Sequence, residues 1–150
     1  MSRIRVLLLL LIVALLTACN GGETSVFDLE VGNCYNDPED GGNQVAELAT
    51  VSCDEPHDNE VFAVINHPAG EGEAFPGTDA LDLFAEEECV PPFEEYVGRD
   101  YLESELFLYS IKPTEDTWAE GDLEVVCALY AVDEEGNTIE TEGSMRGSGR

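Results

Sequence analysis

The chain opens on an unbroken apolar run, Val6 to Leu16, and every later apolar stretch is shorter. Val26 to Val31 alternates weakly and predicts a first strand. Asp37-Pro38-Glu39-Asp40-Gly41-Gly42-Asn43 is a dense cluster of turn formers. Val45 to Cys53 then predicts a strand, which Glu55-Pro56-His57-Asp58 breaks. Glu60 to Asn66 resumes with Val61, Phe62, Ala63, Val64 and Ile65 in succession, as suits a strand buried on both faces. Pro68 to Gly77 is a loop rich in Gly, Pro and Glu.

Thr78 is placed to cap a helix, with Asp79 and Asp82 in its first turn favoured by the macrodipole. Leu81, Phe84, Ala85 and Cys89 share one face at helical spacing, and Glu86, Glu87 and Glu88 belong to the solvated side. Pro91-Pro92 is expected to interrupt this helix, and Phe93 to Val97 to form a second short one ended by Gly98. Leu106 to Ile111 predicts a strand closed by Pro113. Thr114 to Trp118 predicts a capped helical turn stopped by Gly121, with Trp118 in the core beside Phe84, Val125 and Leu129. Leu123 to Val132 is the longest strand candidate. Val125, Cys127, Leu129 and Ala131 share one of its faces and Val126, Ala128, Tyr130 and Val132 the other, which makes it central. Asp133 to Asn137 is a hairpin turn into a last strand, Thr138 to Ser144. The expected fold is α+β: an antiparallel sheet of about five strands with a helix packed on one face.

The apolar run at the start changes the picture of where the protein works. Arg3 and Arg5 precede it, and Leu16-Thr17-Ala18 follow it directly before Cys19. A basic start, an apolar stretch of about 7–15 residues and small residues before a cleavage point define an export signal. A spanning helix needs about 20 apolar residues. Leu-Thr-Ala-Cys resembles a lipobox, whose cysteine receives a diacylglycerol thioether before cleavage on its N-terminal side. The expected organisation is therefore a lipoprotein signal at 1–18, an anchor and spacer at 19–25, and one domain at 26–150. The partner this implies is a membrane, held through acyl chains on Cys19 at about 0.8 kcal/mol per buried CH₂. The expected location is the extracytoplasmic face of the cell membrane.

Charge excludes one class of partner. The chain has 33 acidic and 6 basic residues. All of the acids lie beyond residue 18, with only Arg99, Lys112, Arg146 and Arg150 to oppose them. Four positive charges against 33 negative leave −29 on residues 19–150. Such a surface repels phosphate backbones, so no nucleic acid is expected. The scattered acids also suit salty surroundings, where cations screen self-repulsion.

With Cys19 taken by lipid, Cys34, Cys53, Cys89 and Cys127 remain. An even count in an oxidising compartment reads as two disulfides, with three pairings open. Cys34–Cys53 and Cys89–Cys127 are favoured, because each then links neighbouring elements.

Cys53-Asp54-Glu55-Pro56-His57-Asp58-Asn59-Glu60-Val61 is the most distinctive stretch. One reading makes His57 a general base or metal ligand assisted by Glu60 or Asp58. A catalytic zinc would need about three protein ligands, and only His67 remains as a second histidine. The favoured reading is structural: Pro56 fixes the turn, and His57 hydrogen-bonds to pin a disulfide-bound corner. Asn36 to Glu47 bears comparison with a calcium loop, with Asp40 fifth, Gly41 sixth and Glu47 twelfth. Pro38, however, holds the third position, where an oxygen ligand belongs. No catalytic residue, metal site or cofactor is therefore expected, and Pro56, His57 and Glu60 stand as a motif of unassigned role.

Taken together, Val31-Gly32-Asn33-Cys34-Tyr35, Cys53-Asp54-Glu55-Pro56-His57 and Glu60-Val61-Phe62 resemble the septum formation-related domain family. Cys89, Pro113-Thr114, Trp118, Gly121, Val126-Cys127 and Gly143-Ser144-Met145-Arg146-Gly147 extend the resemblance from about Phe27 to Arg150. It implies an exported lipoprotein or single-span protein of a Gram-positive envelope, and it brings no catalytic residues. The expectation is a non-enzymatic envelope lipoprotein, linked to septum formation, that binds an envelope protein or a cell-wall component. Two other classes compete with it: an extracytoplasmic hydrolase using His57 and Glu60, and a calcium-dependent sensing or adhesion module using Asp40 and Glu47.

Overall fold

A computed structural model describes residues 22–38, 46–70 and 72–150. The lipobox with Cys19, and Asp40 with the rest of segment 39–45, lie outside the described residues. The architecture is α+β. A curled antiparallel sheet is built from β1 (Gly22–Ser25), β2 (Cys34–Asn36), β3 (Glu47–Val51), β4 (Asn59–Asn66), β5 (Leu106–Ile111), β6 (Glu124–Val132) and β7 (Thr138–Ile139). The order across it is β1-β3-β2-β4-β6-β5, with β7 also pairing with β6. Among the described residues the α-helices are α1 (Thr78–Val97) and α2 (Glu115–Ala119).

β6 is central, as its two apolar faces require. Val125, Cys127, Leu129 and Ala131 join Phe62, Ala85, Cys89, Phe93 and Val97 in a core under α1. Val126 and Ala128 face the other way and pack with Val26, Leu29, Tyr35, Leu48 and Val61. The five consecutive apolar residues of β4 serve both layers because the register against β6 shifts between Val61 and Ala63. Phe62 and Ala63 thus both enter the helix-side core, while Val61 and Val64 serve the opposite one. Both disulfides form as paired above, Cys34–Cys53 and Cys89–Cys127. The second ties α1 to the central strand.

Several expectations are corrected. The antiparallel sheet with a helix on one face is as expected, and among the described residues it extends to seven strands where the pattern predicts about five. Val26–Asp28 is a 3₁₀ turn rather than a first strand, and Gly22–Ser25, read as spacer, is the strand that pairs with β3. Cys34–Asn36 is a strand too short for periodicity to reveal. The last strand stops at Ile139, and the chain beyond it turns inward to meet His57 and Glu60. Thr78 is the first helical residue and Gly77 holds the cap position, with no side-chain cap bond.

The largest correction is α1, which runs unbroken through Pro91 and Pro92. Neither proline can donate to the carbonyl four residues back, which weakens the ladder at Glu87 and Glu88. Tertiary contacts outweigh that loss. Leu81, Ala85, Cys89, Phe93 and Val97 repeat every four residues and are all buried, and Cys89 is covalently fixed to β6 just before the prolines. Among the described residues, no helix is long and apolar enough to cross a membrane.

Candidate functional site

The site lies where β2, β4, the end of α1 and residues 141–147 converge. β2 and β4 pair so that Cys34 stands directly opposite Glu60. His57 precedes β4, and its backbone exchanges two hydrogen bonds with Thr141, at 3.0 and 2.8 Å. Gly143 N–H donates to the Cys53 carbonyl at 2.6 Å, so the returning chain closes over the disulfide corner.

His57 and Glu60 are both 0% exposed. Nδ1 of His57 lies 2.8 Å from the Glu55 carbonyl oxygen. A carbonyl only accepts, so Nδ1 carries the proton and, in the neutral ring, Nε2 holds a lone pair. That nitrogen is 3.3 Å from the Thr141 hydroxyl. Both nitrogens thus contact the fold itself, Nδ1 within the Pro56 turn and Nε2 at residue 141.

Glu60 is the hub. Its Oε1 accepts from the Tyr96 hydroxyl at 2.6 Å and from the Ser144 hydroxyl at 2.5 Å, and its Oε2 accepts from Met145 N–H at 2.6 Å. The Arg146 guanidinium lies over the Tyr96 ring, 4.2 Å from its centroid. The Tyr96 hydroxyl pKa is pushed up to about 12, first by burial and then by its hydrogen bond to Glu60. The segment continues along α1, where Gly147 N–H donates to Tyr96 O and Gly149 N–H to Val97 O.

Sequence spacing singled out Pro56, His57 and Glu60, and the structure keeps them together. It does not bring the other proposed partners to them. Asp58 is occupied with the start of the calcium-like segment, accepting from Asp37 N–H at 2.9 Å. His67 is elsewhere, packed against Phe84 and Trp118 with ring centroids 4.6 and 5.1 Å away. Trp118 is buried as expected, but beside His67 and Phe75, and its indole N–H donates to Glu73 O. Glu47, the twelfth position of the calcium-like loop, opens β3 and pairs with Ser25.

Tyr96, Ser144, Met145 and Thr141 were missed as members of the site. They lie 36 to 85 residues from the groups they contact, beyond what local pattern can reach. The one available signal was the Gly143–Gly147 string, noticed as part of a resemblance and not as a partner of Glu60. Cys34 was missed because its neighbour relation depends on strand pairing.

The septum formation family matches residues 31–149, which contain every element of this site. The chain belongs to the septum formation family. That membership connects it with septum formation, and so with cell division. The string from Cys53 through Pro56 and His57 to Glu60 is scaffold of the domain, buried at His57 and Glu60, with Glu60 receiving hydrogen bonds from Ser144 and Met145. No curated protein and no solved structure matches the chain.

Proposed function

We propose that this member of the septum formation family is a lipid-anchored envelope protein, and that its domain acts by binding rather than by turnover. The lipid is attached at Cys19, and the domain faces the extracytoplasmic side, where it engages a division-associated envelope protein or a cell-wall component. The observation that carries the non-enzymatic reading is the burial of His57 and Glu60 with their hydrogen bonds already committed to the fold. A general base needs a path to its substrate, and these two groups have no exposed surface. The two disulfides support export, because such bonds persist in oxidising compartments. The basic, apolar, small-residue leader ending at Cys19 supports the anchor.

Fluorescent localisation of the full-length protein in dividing cells tests this reading. Enrichment at midcell is expected, with release from the membrane fraction when Cys19→Ala is introduced. Uniform peripheral labelling through the cell cycle would remove the division link. Mass spectrometry finding residues 1–18 still attached would remove the anchor.

A further inference from the structure

Cys34, His57 and Glu60 bring one sulfur, one ring nitrogen and one carboxylate oxygen within 4.8 Å of one another, and all three residues are buried. Thiolate, imidazole and carboxylate together make a donor set suited to zinc and its thiophilic neighbours. Metal–ligand bonds of about 2.0–2.3 Å set tetrahedral ligands roughly 3.5 Å apart, so a pair at the 4.8 Å limit would have to close by roughly 1.3 Å. In the oxidised protein, Cys34 sulfur is spent on Cys53, and a thiolate, not a disulfide, is the metal ligand.

The surroundings of the cluster are those of a metal site. The Nδ1–H of His57 is fixed on the Glu55 carbonyl, which orients the ring, an arrangement common behind metal-bound histidine. The Nε2 lone pair, which faces the Thr141 hydroxyl at 3.3 Å, would have to exchange that contact for the metal. Glu60 is oriented by Tyr96, Ser144 and Met145. Its carboxylate is buried, yet neither ion pair among the described residues includes it. Buried charges are normally paired or coordinate a metal. The other disulfide has no such company: Cys89 and Cys127 sit wholly within the apolar core.

The geometry points to a zinc-class metal site that the Cys34–Cys53 disulfide holds closed. A dithiol reductant transfers two electrons and two protons to this disulfide and becomes a disulfide itself, leaving two thiols. Each thiol loses its proton as the divalent cation binds. Cys34, His57 and Glu60 then supply one sulfur, one nitrogen and one oxygen, and the Cys53 sulfur, bonded to Cys34 until reduction, is the adjacent candidate for the fourth position. In the oxidised state the same cation has no thiolate to bind.

The test uses the full chain carrying Cys19→Ser, with cobalt(II) as the optical probe. Mapping of alkylated cysteines confirms that the core-buried Cys89–Cys127 bond survives reduction, so that Cys34 and Cys53 are the free thiols. The oxidised chain should show no thiolate-to-cobalt absorption. After reduction by a non-chelating phosphine it should take up one equivalent with that absorption, and zinc should displace it. Cys34→Ser and Cys53→Ser should each abolish or strongly reduce the band. His57→Asn and Glu60→Gln, checked for folding in their oxidised forms, should each weaken cobalt affinity at least about tenfold. Absence of cobalt uptake after reduction overturns the assignment. So does an undiminished band in both His57→Asn and Glu60→Gln, which would mean adventitious binding by loose thiols. A reduced chain that unfolds and is not refolded by zinc also overturns it.

Discussion

Ser144 and Glu60, 84 residues apart in sequence, are joined by a 2.5 Å hydrogen bond inside the domain. With Tyr96 and the Met145 amide, Ser144 surrounds the carboxylate with donors only. The arrangement needs an acceptor on both oxygens. Glu60→Gln preserves shape but turns one acceptor into a donor, setting like against like. The expected cost is about 1–3 kcal/mol, as for any buried polar group left without a partner. In thermal unfolding this should appear as a loss of roughly 5 °C or more. An unchanged midpoint would show that the carboxylate does not hold the segment in place.

Tyr96 gives the same hub a dependence on pH. Its pKa rises in the folded protein from 10.0 to about 12, burial being the larger cause and Glu60 the next. The folded state therefore keeps a proton that the unfolded chain releases at lower pH. This contribution is complete below about pH 10 and is lost as pH climbs through about 12. Melting midpoints across that window should fall less steeply for Tyr96→Phe than for the natural chain. Parallel slopes would exclude Tyr96 as the group responsible.

The two disulfides should not be equivalent. Cys34–Cys53 closes 19 residues and Cys89–Cys127 closes 38. In the chain-entropy account these are worth about 3 and about 4 kcal/mol. Replacing Cys89 and Cys127 together by alanine also leaves space in the core under α1. That double variant should lose more stability than its Cys34, Cys53 counterpart in denaturant titration. The reverse order would contradict the account.

Pro91 sits on the exposed side of an otherwise continuous helix. A proline in a helix interior costs up to about 3 kcal/mol relative to alanine, partly offset by its stiffening of the unfolded chain. Pro91→Ala should therefore raise stability, by about 1 kcal/mol or more, with no change in helix content. A decrease would mean that the ring makes a contact α1 depends on.

Charge predicts a salt response. Six basic residues face 33 acidic ones, and the described residues contain two ion pairs, Lys112–Asp82 and Arg150–Glu105. Self-repulsion of this kind is screened within about 10 Å at 0.1 M salt and about 3 Å at 1 M. The unfolding midpoint should rise over that range. If it stays flat, the acids are spaced widely enough that their repulsion does not matter.

The elements with strong local signals were legible in the sequence. β5 occupies the span from Leu106 to Ile111 expected ahead of Pro113, and α2 begins at the Thr114 capping box. β6 divides its side chains between two cores as its pattern requires. Disulfide pairing followed from neighbouring elements. What escaped was set by distant contacts. The α1 prolines argue locally for a break, and the buried Cys89, Phe93, Tyr96 and Val97, with Cys89 bonded to Cys127, overrule them. β2 has three residues, too few for periodicity, and exists because β3 and β4 flank it. The site was half visible for the same reason. Pro56, His57 and Glu60 are close in sequence, whereas the groups that complete them arrive from α1 and from residues 141–145.

Residues 143–149 act as the fastening of the whole domain, and that sets an order of assembly. Under the proposed export, β1 to β6 would cross the membrane well before Ser144 does. Until then Glu60 lacks the hydrogen bonds that Ser144 and Met145 donate to it, and the end of α1 lacks its covering stretch of backbone. Maturation should therefore finish late and at one stroke, when the final stretch arrives. A protease that clips behind Glu142 would turn a finished molecule back into an unlatched one.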